Sequence, residues 1–427
     1  MAERIGFRHR LASGISSIGR VPDGCSKIPT LIPADSISRS SAWRALVAVS
    51  LAVLMASSTW FSGTAAAPQL RKLWLLSDAQ SAWLTISVQL GFITGTFLYA
   101  ILNLSDRFNA RRVFFASSLA SAIFNLAFAW ASGGLMTATS FRFLTGLTLA
   151  GVYPVGMKIV ASWFESSLGW RLGVMVGALT FGTASPYLIQ SLGVGADWQL
   201  MASLASMAAA AGGAILLVSC KDGPFLSSRA RFDPAVMVRV FAHRQFRYTA
   251  FGYFGHMWEL YAFWSLVSFF LSARFQNDIE WTARLPLLSF LAVGAGVIGC
   301  VAGGWVSRTA GEKRVALLSL AVSASCCALS GFAYAFPAPL LVAFIFLWGV
   351  FVVSDSPQFS ALAARHCPKE YTGTALTTQN GLGFAITVLS IQLMPLVAAA
   401  AEWRWAFTLL AIGPLAGAYF MSRLEND

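Results

Sequence analysis

Apolar runs of about membrane-spanning length recur along this chain, and they restrict its possible folds more than any other feature. From Tyr248 to Ala273 the only formal charge is Glu259. From Val315 to Ala364 the only one is Asp355, and the FPAP sequence at Phe336 to Pro339 supplies a turn that divides this long run. A bilayer core about 30 Å thick is crossed by roughly 20 helical residues at about 1.5 Å rise each. Charged residues make up 11% of the chain, against roughly 25% in soluble domains. The expected class is an all-α membrane protein.

Charges and turn residues cut the apolar sequence into twelve expected spans, near 43–66, 79–104, 113–132, 135–160, 172–193, 198–219, 247–272, 286–306, 315–335, 339–362, 373–397 and 403–422. A hydrophilic stretch divides them six and six. This gives an N-terminal tail (1–42), a first bundle (43–219), a linker (220–246) and a second bundle (247–423). With the N-terminus inside, 24 of the 30 Lys and Arg residues fall on the cytoplasmic side. Arg71, Lys72, Arg142, Arg274, Arg284 and Arg404 remain outside. Such an asymmetry is the positive-inside pattern and predicts a multi-pass membrane protein with both termini cytoplasmic. The net charge of +12 therefore reads as topology. Nucleic-acid binding would gather the basic residues on one soluble face, and here they are scattered through short connections.

The tail lacks the apolar core of a cleavable signal, and Glu3, Asp23 and Asp35 argue against a transit peptide. A flexible cytoplasmic tail is expected. The six cysteines show neither metal-ligand spacing nor a pair placed for an extracellular disulfide. No metal and no cofactor is expected.

The halves echo one another. SDRFNARRV begins at Ser105 and SRTAGEKRV at Ser307, so Ser105, Arg111, Arg112 and Val113 recur as Ser307, Lys313, Arg314 and Val315 at an offset of 202. Each copy follows the second span of its half, as an internal duplication requires. DRFNARR also resembles the signature loop of the major facilitator superfamily, with Leu102 and Asn109-Ala110 departing from its usual glycines. RFLTG at Arg142 to Gly146 is similar to that superfamily's fourth-span motif, and the resemblance covers residues 43–422. GHMWELYAFW, SDSPQFSAL and GTALTTQNGLGF resemble a bacterial branch grouped near nitrate and cyanate porters, most of whose members have no assigned substrate. The resemblance implies twelve transmembrane helices in two six-helix pseudo-repeats. Nitrate carriers of the superfamily use an Arg in the second and the eighth span, and neither expected span has one, which disfavours nitrate.

An ionised carboxylate at mid-bilayer costs several kcal/mol, so such groups face water, pair or take up a proton. Glu259 and Asp355 are the acids that fall inside spans. Glu259 is expected to line a central cavity and carry a proton, with His256 one helical turn away as its relay. The alternative is a structural pair that locks helices or orients Trp258 and Tyr261. Asp355 stands before Pro357, where the helix is expected to bend, with Gln358 on its face. It is read either as a gate element or as a latch to a Lys or Arg at the cytoplasmic rim.

Arg142 is expected within snorkelling reach of the outer surface, and its superfamily counterpart implies proton transfer or substrate contact. Tyr153, beside Pro154 and Gly151, would break span four at the cavity, and Thr377, Gln379 and Asn380 form a polar cluster on span eleven. That cluster serves either the substrate or helix packing. Asp106, Arg107, Arg111, Arg112, Lys313 and Arg314 are expected as a cytoplasmic gate whose charges pair with helix ends in one conformation.

No HExxH, GxSxG or Cys/His cluster is present, and no catalytic residue is assigned. The reading is a secondary active transporter, proton-coupled and working by alternating access, for a small polar metabolite or organic anion. It would act as a monomer in the lipid bilayer. A passive channel or a non-transporting sensor of the same fold remains the alternative.

Overall fold

The computed structural model describes residues 39–164, 168–193, 197–225, 234–368 and 371–425. The tail as far as residue 38 and the middle of the expected linker lie outside the described residues. Those described are helical, with short connections and no strand. Ten stretches are long and apolar enough to cross a membrane, among them Ser40–Trp74, Asp78–Ile101, Ala110–Ala131, Leu135–Ala161, Leu168–Ser191 and Trp198–Ser219 in the first half. In the second half they are Leu285–Ala310, Glu312–Ala333, Ala338–His366 and Thr372–Ser422. Thr372–Ser422 leaves helical geometry at Glu402 (φ 63°, ψ 158°) and counts as two spans. With the 32-residue helix Arg244–Phe275, the described residues make twelve spans, numbered one to twelve in chain order. The fold is the twelve-helix arrangement expected.

Three spans are interrupted. Span one is Arg39–Ser57 followed by Ser62–Trp74, span four Leu135–Leu149 followed by Tyr153–Ala161, and span ten Ala338–Phe351 followed by Ser356–His366. Proline explains the last two, since Pro154 and Pro357 stand in the first turn of the second segments, where a missing N–H is harmless. The carbonyl of Val353, which Pro357 has no N–H to meet, accepts from the Ser356 N–H at 3.1 Å and lies 3.5 Å from the Cys300 thiol.

The duplication is written in the helix ends. Ala110–Ala131 and Glu312–Ala333 begin and end 202 positions apart, and the break after Leu149 recurs 202 positions later after Phe351. Within the first half, spans two and four meet through glycine. A Cβ on Gly146 would overlap the Val88 carbonyl, so only a residue without a side chain permits that approach. Val47, Trp130, Leu318 and Leu389 project outward and exposed, an apolar surface suited to lipid rather than water.

Candidate functional site

Span seven carries the buried ionisable groups of the second half. Glu259 is 1% exposed. The Ser323 hydroxyl of span nine donates to its Oε1, and the indole N–H of Trp348 on span ten donates to the same oxygen at 2.5 Å. No Lys or Arg forms an ion pair with it among the described residues. The carboxyl is thus held inside the second bundle by neutral donors.

His256 does not bond to Glu259. Three residues along a helix turn the side chain by about 300°, which leaves the two groups about 60° apart and one turn separated in height. His256 Nδ1 lies 2.9 Å from Asp355 Oδ1, with both residues 2% exposed. The rings of Tyr253 and Phe359 flank the imidazole at 5.8 and 5.6 Å. Asp355 therefore takes a histidine as partner, not a Lys or Arg of the rim. Two buried polar links now join span seven to span ten, one through Trp348 before the break and one through Asp355 at it. A change of angle at the break would alter the position of one link relative to the other.

Arg142 occupies the first bundle. It is fully buried instead of snorkelling, because the interruption of span one supplies acceptors in the interior. One terminal nitrogen donates to the Thr59 carbonyl at 2.9 Å, Ser62 Oγ at 3.0 Å and Asn125 Oδ1 at 2.7 Å, and the other donates to the Trp60 carbonyl. The guanidinium replaces the hydrogen bonds that the broken turn would have made for itself. This fixes Trp60 and Phe61 where they meet the second half. Trp60 stacks on Tyr261 and Phe384 at 6.0 and 5.8 Å, Phe61 packs edge-on against Tyr261 and Trp264, and Phe92 of span two lies 4.5 Å from Phe384. Six aromatic rings from four spans thus close the centre between the halves.

Of the other expected residues, Tyr261 lies in this aromatic cluster and Tyr153 stands at the start of the second segment of span four, partly exposed. Gln358 is buried, and a Cβ on Gly169 of span five would lie 4.0 Å from its Oε1, so it faces the first half. Trp258 turns instead toward span twelve, where Gly413 makes room for its indole. On span eleven, Gln379 is fully buried with neither amide atom hydrogen-bonded, Asn380 is buried and Thr377 is half-buried. Gln89, Trp60 Nε1, Trp264 Nε1 and His256 Nε2 are likewise buried without partners. Native proteins pair most such groups with protein or with ordered water.

The basic connections are tied within each half. Arg111 Nε lies 3.2 Å from Asp222 Oδ1 and the same guanidinium donates to the Cys220 carbonyl at 2.7 Å, while Lys313 donates to the Leu424 carbonyl at 2.5 Å. Arg107, Arg112 and Arg314 are exposed, and the side chain of Asp106 lies outside the described residues. Asn125, Ser323, Trp348, Trp60 and Gln89 were not expected from the sequence. Asn125 and Gln89 had a visible signal as amides within apolar runs, whereas nothing local distinguishes Trp60 or Trp348 from other membrane tryptophans.

A family profile described as Major Facilitator Superfamily matches residues 48–390 and 249–426. The niacin transporter NiaP of Acinetobacter baylyi (strain ATCC 33305 / BD413 / ADP1) is 30% identical over 176 residues. That match spans 38% of this chain and 37% of that transporter's length. Among solved structures, the proton:xylose symporter XylE superposes with TM-score 0.70 at 12% identity, covering 90% of this chain and 96% of that one. The human organic anion transporter MFSD10 gives 0.65 at 15% identity, covering 89% and 99%. The nucleoside transporter NupG gives 0.66 at 13%, covering 90% and 100%. At these identities the likeness is one of fold.

Proposed function

The chain belongs to the major facilitator superfamily, and on that premise we propose that this multi-pass membrane transporter is a proton-coupled carrier of a small organic anion with a planar body. It works by alternating access, the two bundles rocking about the aromatic cluster. The basic connections face the cytoplasm in the proposed orientation, and the carrier acts as a monomer.

The observation that carries the reading is the pair of buried links, Glu259 to Trp348 before the break in span ten and His256 to Asp355 at it. A carboxyl group enclosed with neutral donors is costly when ionised, and taking up a proton removes the cost. Proton occupancy is thereby tied to the geometry of the break, which is what coupling requires. Support for the substrate class comes from the aromatic lining at the centre and from the likeness of part of the chain to a niacin transporter. Nicotinate is accordingly the first compound to test. Purified protein in liposomes should accumulate labelled nicotinate when the outside is acidified, and a protonophore should abolish the accumulation. Equilibration with no response to the gradient would favour passive facilitation and sink the coupling claim.

A further inference from the structure

A cavity of about 450 Å³ opens where the last turns of span one meet the outer turns of span seven. This falls within the roughly 300–1,000 Å³ usual for small-molecule sites. Pro68, Arg71 and Lys72 come from the first half, Ser268, Phe269 and Ser272 from the second. It lies apart from the buried links described above. Its two walls belong to different bundles, so rocking of the halves would change its width.

Both cations stand in the last turn of Ser62–Trp74, where helix carbonyls favour positive charge, and this alone would account for a basic residue there. Arg71 also pairs with Asp78. Lys72 is exposed and has no ion pair among the described residues. The opposite wall is not accounted for by helix stability. Ser268 is 8% exposed and its hydroxyl bonds to no carbonyl of its own helix but faces the phenol of Tyr187, whereas Thr249 on the same helix bonds to the Gln245 carbonyl at 3.0 Å. Ser272 lies one turn further on the same face. The cavity therefore sets an unpaired ammonium and hydroxyl donors around an apolar wall of Phe269 and Pro68.

We propose that this cavity is a capture site for the carboxylate of a small organic acid, with Lys72 as its ionic contact, Ser268 and Ser272 as hydroxyl donors and Phe269 against the apolar body. The proposal rests on the organic-anion reading above and adds to it a second site, at the outer mouth in the proposed orientation. Lys72 raises the local concentration of anions before the central region opens.

The test is binding of benzoate, with benzamide as the neutral isostere, to the full chain in nanodiscs of neutral phosphatidylcholine. Benzoate should bind about tenfold more tightly than benzamide, and Lys72→Gln should remove about that factor, as expected of one half-screened charge pair. Lys72→Arg should restore it. In vesicle uptake the same Gln variant should raise KM and leave kcat unchanged, a division that a structural defect would not produce. No benzoate binding to the wild-type chain, or equal binding by Lys72→Gln, overturns the proposal. So does loss of the Lys72-dependent binding on adding phosphatidylglycerol, which would assign the mouth to a lipid headgroup. Benzoate binding through Lys72 without gradient-driven accumulation would defeat proton coupling alone, while accumulation with an unaltered KM in Lys72→Gln would defeat the capture site alone.

Discussion

Glu259→Gln separates proton coupling from folding. Both observed bonds are donated to one carboxylate oxygen, by Ser323 and Trp348, and the amide oxygen of glutamine accepts both when it takes that position. Exchanging charge-assisted for neutral hydrogen bonds costs at most about 1–2 kcal/mol, so melting in detergent should fall by no more than roughly 5 °C. Coupling behaves differently. One proton moving down a gradient of about one pH unit supplies about 1.4 kcal/mol, enough for about tenfold accumulation of a co-transported solute. In liposomes under that gradient, after subtracting uptake by protein-free vesicles, the wild type should approach tenfold accumulation of labelled nicotinate. The variant should only equilibrate it, while exchange of internal for external nicotinate persists. A variant that still concentrates nicotinate tenfold would place the coupling proton elsewhere.

The Arg142 network makes a distinct prediction. Asn125→Leu removes an acceptor from a buried cation and should destabilise the protein by about 3 kcal/mol, whereas Arg142→Met orphans the Trp60 carbonyl at about 1–3 kcal/mol. The double variant should cost less than the sum, read as thermal melting by tryptophan fluorescence. Asp355→Asn keeps a polar side chain facing His256 Nδ1 but removes the charge. It should weaken the buried link between spans seven and ten and lower the rate of nicotinate uptake into liposomes, and an unchanged rate would remove this link from the transport cycle. Gly146→Val, forced against the Val88 carbonyl, should cost about 3 kcal/mol or more and reduce the monodisperse peak in size-exclusion chromatography.

Much of the fold was legible because the bilayer imposes a length on each apolar run and because Pro154 and Pro357 announce two of the breaks. The interruption of span one was not legible. Its residues 58–61 are Ser-Thr-Trp-Phe, with neither proline nor glycine, and the break depends on Arg142 some eighty positions away. The ionisable residues inside spans stand out in the sequence by type, and their pairing does not. Spacing along one helix identifies neighbours on that helix, so His256 was matched with Glu259. The true partner, Asp355, is 99 positions distant and is brought near only when span ten bends. Trp258 failed for a related reason, since an aromatic beside a polar pair in sequence turns away from it by about 100° in a helix.

The 202-residue offset also bears on how such a molecule arose. The position corresponding to Arg142 in the second half is Phe344, that corresponding to Glu259 in the first half is Ser57, and Asp355 answers to Tyr153. A symmetric pair of identical six-helix chains would have had to bury every one of these ionisable groups twice. A single chain carries each of these positions once, so that among the described residues one lobe buries a cation without an acid and the other buries acids without a lysine or arginine.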